Sequence, residues 1–117
     1  MRRTKRVPLN FWETAKRGDE YDVHFSRLGD SLLDSPTFCK LGNSTRLIYF
    51  YMIRAAAGKR EFTFSHSFYD KRGFAKRTVI RAIMELENAG FIRVKEHGKA
   101  TRTPNQYRFI NDWKNEE

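Results

Sequence analysis

Cysteine, proline and acid are all scarce in this chain, and it has no long apolar run. One cysteine, Cys39, stands among 117 residues. That excludes an intramolecular disulfide framework and a cysteine-based zinc site, and a reducing, cytoplasmic compartment is the expectation. The longest apolar run, LIYFYMI over 47–53, falls far short of the roughly 20 residues that cross a bilayer. No membrane partner is therefore expected. The cations at the start are followed by no apolar segment, so no secretory leader is expected there. His24, His66 and His97 are scattered. No two have the spacing of a zinc site on one helix, and no His-x-His pair of the strand-nicking kind is present. A glycine-rich phosphate loop and a Gly-x-Ser-x-Gly elbow are missing too. The expectation is a protein with no metal, no cofactor and no catalytic residue, hence not an enzyme.

The acids are outnumbered: 14 Asp and Glu face 23 Lys and Arg, for a formal charge of +9. An excess of this size favours a polyanionic partner, DNA or RNA, over a membrane surface. The length suits one domain. Such a domain buries roughly two thirds of the surface its unfolded chain exposes, so it needs no staple. Aromatics, at 15% of the chain, supply a generous core.

Three regions are expected. Residues 1–28 form a basic arm that is partly ordered. Arg2, Arg3, Lys5 and Arg6 crowd its start, and Tyr21, Val23 and Phe25 alternate as in a short strand. Residues 29–113 form the domain, and 114–117 a short tail. Within the domain Ser35-Pro36 opens a helix that ends at Gly42. Asn43 caps a second helix over 44–57, closed by Gly58. Its stretch 47–53 is apolar on every side, which predicts an enclosed core helix. A strand is expected over 61–64. Ser65 then caps a short helix over 66–72, and Gly73 makes the turn. The next helix runs over 76–89, with Val79, Ala82, Ile83 and Leu86 on one face and Gly90 beyond it. Strands over 91–95 and 106–110 flank HGKATRTPN, which is rich in residues that break regular structure.

This order of elements resembles the bacterial winged helix-turn-helix proteins found in phages, plasmids and conjugative elements. Phe74, Thr78, Val79, Ile83, Leu86, Gly90, Phe91 and Ile92 carry the resemblance, with FTFSHSFYDKRG before them and NQYRFINDW after. It covers about 35–113. It implies an α+β fold of three to four helices and a small antiparallel sheet with one hairpin wing. It also implies a DNA-binding role in replication, transfer or transcription. The chain departs from the family at Ala75, where Ser or Thr usually caps the recognition helix. Alanine cannot accept a hydrogen bond from the first free amides; either the helix start is looser here, or the missing acceptor is a neighbour such as Asp70 or a bound phosphate.

With the apolar face inward, helix 76–89 turns Lys76, Arg77, Ile80, Arg81 and Met84 outward. Arg77 and Arg81 share a face, and like charges so spaced disfavour an isolated helix, which suggests an anionic partner. Arginine takes guanine O6 and N7 with two hydrogen bonds, and an apolar side chain meets a thymine methyl. Ile80 and Met84 have other possible covers, namely the arm or a second subunit, as in a homodimer. Lys71 and Arg72 suit either the end of their own helix or phosphates beside a groove. Thr78 suits backbone or phosphate bonding better than base reading. On the hairpin, Arg93, Lys95, Lys99, Arg102 and Arg108 form a basic ribbon for phosphates or a narrow minor groove. Arg2, Arg3, Lys5 and Arg6 either track a minor groove or add nonspecific attraction.

Double-stranded DNA is the expected partner, with a relaxase or replication protein as the possible larger enzyme it recruits. A different class of function remains open: a winged-helix adaptor whose interface is Ile80 and Met84. Single-stranded RNA is disfavoured, because Phe62 and Phe64 alternate like core residues rather than forming a stacking platform.

Overall fold

The structure, a computed structural model, describes residues 26–96 and 106–116. The arm positions Arg2, Arg3, Lys5 and Arg6, the strand expected at 21–25, and the hairpin tip with Lys99 and Arg102 lie outside the described residues. The fold is α+β. Its elements run α1 (Asp30–Leu33), α2 (Pro36–Cys39), α3 (Asn43–Ala56), β1 (Glu61–Thr63), α4 (His66–Asp70), α5 (Lys76–Asn88), β2 (Ile92–Glu96) and β3 (Gln106–Phe109). A 3-10 helix, Asp112–Glu116, follows and runs across the boundary expected at 113/114. The four-residue α1 has no counterpart in the sequence reading, which expected three to four helices.

Local chemistry sets most helix ends. Ser35 and Ser65 sit in extended cap geometry, and each hydroxyl accepts from the amide three residues on, Phe38 and Phe68, at 3.2 Å. The turn after α4 closes when Phe74 N–H donates to Tyr69 O and Gly73 N–H to Asp70 O. The end of α5 repeats that pattern, with Phe91 donating to Leu86 and Gly90 to Glu87. Gly73 and Gly90 take φ values of 86° and 85°, the left-handed conformation such ends need. A side chain at 90 would also collide with Asp112 Cβ, 2.8 Å from an added Cβ.

The end of α3 differs from expectation. Ala57, not Gly58, occupies the first left-handed position, at φ 50°. The start of α3 differs as well. Gly42 is the cap residue and Asn43 is already helical, with its Oδ1 accepting from the Arg46 guanidinium. Nor is α3 enclosed on all sides. Ile48, Tyr49, Met52 and Ala56 are buried, Phe50, Tyr51 and Ile53 are half-buried, and Leu47 is 46% exposed. Periodicity is hard to read in a run that is apolar throughout, so burial on one face only was not visible.

The sheet is antiparallel with order β1-β3-β2. Phe62 pairs with Tyr107 and Tyr107 with Val94, which puts these side chains on the face toward α3 and α5. Phe62 stacks on Phe109 with centroids 4.5 Å apart. Behind them Phe38, Tyr49 and Phe91 meet edge-on or tilted, and Trp113 stacks on Phe91 at 5.0 Å and 10°. The 3-10 helix thus closes the core with an indole. Burial pushes the Tyr49 hydroxyl up to about 12. No helix among the described residues is long and apolar enough to cross a membrane.

Candidate nucleic-acid interface

Helix α5 is pinned by its inner face. Val79, Ala82 and Leu86 are buried against the core, and Ile83 is half-buried. Lys76, Arg77, Ile80, Arg81 and Met84 are exposed. At 100° per residue these five fall within an arc of about 140° on the side opposite the core. The structure therefore brings together the five side chains that the sequence placed outward. Thr78 lies at the border, half-buried.

The acids of α5 do not balance its cations. By helical period alone Glu85 and Glu87 belong to the solvent face of the helix; Glu87 is exposed, as that expects, whereas Glu85 is half-buried and turned onto α3. Gly42 N–H donates to Glu85 Oε1 at 2.8 Å, and the Thr45 hydroxyl donates to Oε2 at 3.0 Å. Glu85 thus supplies a carboxylate to the start of α3, where the helix dipole favours negative charge. Val94 N–H donates to Glu87 Oε2 at 3.3 Å. With both carboxylates committed to backbone amides, Lys76, Arg77 and Arg81 form no ion pair among the described residues.

The start of α5 breaks the usual rules of helix termini. Ala75 has the extended cap conformation, φ −74° and ψ 147°, but no side-chain acceptor, and the first turn contains no acid. Lys76 and Arg77 put two positive charges where the dipole is already positive. No side chain among the described residues caps this exposed end, and a helix start of this kind suits an anion.

The neighbouring cations are not equivalent. Lys71, just after α4, is exposed. Arg72 is half-buried; it donates to Phe68 O at 2.8 Å, and its guanidinium lies 3.7 Å from the Phe68 ring centroid. It serves the end of α4, the first of the two roles open to it. On the outer face of the sheet Arg93 stands opposite Arg108, and Arg108 opposite Glu61. Lys95 Nζ is 3.0 Å from Glu61 Oε1, and Arg108 is 3.6 Å from the same atom. The hairpin alone reads as nearly acid-free, but β1 brings in a carboxylate. Two like charges directly opposite disfavour a sheet, and Glu61 relieves this. Glu61 was missed because its partners lie 34 and 47 residues away.

Tyr69, the buried residue of α4, has its hydroxyl pKa raised by burial first and then by the adjacent Asp70 carboxylate. Among the described residues no group of three or more His, Cys, Asp or Glu is placed to hold a metal.

No family model and no curated protein matches this sequence. Among solved structures the fold is similar to a chain in "Structure of Rep-DNA complex", at a TM-score of 0.54 and 15% identity. The match covers 90% of this chain and 84% of that one. At that identity the likeness is one of fold.

Proposed function

We propose that this chain is a non-enzymatic, double-stranded DNA-binding protein of a mobile element, built as a winged helix-turn-helix. In this reading α4, the Gly73 turn and α5 are the helix-turn-helix, and β2 and β3 are the wing. The observation that carries it is the outer face of α5, with Lys76, Arg77 and Arg81 exposed together and no carboxylate paired to them among the described residues. Bare amides and cations at the front of a helix suit a phosphate. Arg77 and Arg81 behind them suit guanine edges in a major groove. Lys71 and Arg93 flank the helix as phosphate contacts, and the wing tip and the arm add further positive charge.

The similarity in fold to a chain from a Rep–DNA complex supports replication over transfer or transcription. A domain of this size acts by occupying an origin or promoter in the cytoplasm and recruiting a larger replication protein or relaxase, with a homodimer as one arrangement. The test is selection of bound fragments from random duplexes, followed by affinity at several salt concentrations. A preferred sequence is expected. If about six phosphates are neutralised, log affinity falls against log salt with a slope near −5. No selected sequence and a flat salt response would overturn the proposal.

A further inference from the structure

We infer that Ile80 and Met84 make α5 a reader of thymine methyl groups, a role that rests on the DNA-binding reading above and adds a base preference to it. Ile80 is 49% exposed and Met84 59% exposed. Scattered exposed apolar residues are ordinary on a protein surface. These two differ in placement. They are four apart on one helix, so their side chains are neighbours, and they run down the middle of the outward face. Lys76 borders them on one side, and Arg77 and Arg81 on the other.

That setting selects the occupant. A protein surface covering the pair would have to bury three cations that lack partners among the described residues, or supply acids for each. Two half-exposed side chains also offer far less than the roughly 800 Å² per partner of a stable protein interface. A DNA major groove matches both parts of the pattern. Its rims are anionic, and the one apolar group its base edges present is the C5-methyl of thymine. Along the helix axis Ile80 and Met84 are about 6 Å apart, against about 3.4 Å per base pair. The two methyls therefore belong to base pairs one or two steps apart, beside the guanines taken by Arg77 and Arg81.

Replacing dT by dU removes only the methyl. With a duplex chosen by selection, single dT-to-dU changes are measured on the wild-type chain, on Ile80→Ala and on Met84→Ala. Two positions are expected at which dU weakens wild-type binding about fourfold, the value of burying one such carbon. Ile80→Ala abolishes the effect at one position and Met84→Ala at the other. Both variants lie on the surface and keep the wild-type melting temperature. Full-affinity binding to duplexes carrying dU throughout would overturn the methyl reading while leaving DNA binding intact. Failure to bind any duplex would overturn both readings. A wild-type dimer that Ile80→Ser with Met84→Ser converts to monomer, seen by sedimentation, would assign the pair to a second copy instead and overturn methyl reading.

Discussion

Helices α3 and α5 lie side by side in one core, yet their N-termini are treated in opposite ways. At α3 the cap residue is Gly42, and the carboxylate of Glu85 reaches in from α5 to take its amide and the Thr45 hydroxyl. At α5 the cap residue is Ala75, the first turn has Lys76 and Arg77, and no acid among the described residues is spent there. Glu85 belongs to the very helix whose own start goes without. A negative charge at α3 serves the fold. Its absence at α5 works against the fold and leaves an electropositive helix end in solvent. Local rules broken without compensation among the described residues are a mark of a functional site.

The largest effect expected from breaking this contrast is on binding. Arg77→Ala with Arg81→Ala should lower affinity for a selected duplex at least thirtyfold, about 2 kcal/mol, if each arginine contributes even the lower end of a base contact. The melting temperature should hold or rise, because two like charges leave one helix face. Fluorescence anisotropy and thermal unfolding on the same samples check this. Next in size is Glu85→Ala. It leaves the Gly42 amide and the buried Thr45 hydroxyl unpaired and should cost about 1–3 kcal/mol of stability, read by urea denaturation.

Ala75→Asp sharpens the comparison from the other side. A capping carboxylate at α5 should stabilise the fold by about 1 kcal/mol and weaken DNA binding, since it occupies the amides meant for a phosphate. Gain in both stability and affinity would show that no phosphate visits this end. The smallest effect belongs to Glu61→Gln. It releases Lys95 and Arg108 from their shared carboxylate, a surface pairing worth under about 1 kcal/mol. The salt slope of binding should steepen by about one as a freed cation meets a phosphate.

The parts of the fold governed by near neighbours were legible in the sequence. Ser35 and Ser65 announced two helix starts, Gly73 and Gly90 two helix ends, and the spacing of Val79, Ala82 and Leu86 the buried side of α5. Each signal acts within about two helical turns. What stayed hidden depends on distant contacts. Glu85 looks like an ordinary surface acid until α3 is placed beside it, and Glu61 like an ordinary strand residue until β3 brings Arg108 opposite. The apolar run in α3 concealed which side faces out. For the candidate site the same division holds. The outward set on α5 follows from helical period alone, whereas its lack of acid partners among the described residues depends on where Glu85 and Glu87 point.

The measurement that bears most directly on the role of α5 is an amide NMR titration of the full chain with a selected duplex. The largest shifts should fall at 76–84, led by the Lys76, Arg77 and Thr78 amides, with weaker changes at 93–95 and 108. Saturable binding that perturbs the exposed side of α3 around Leu47 and leaves 76–84 unmoved would contradict it.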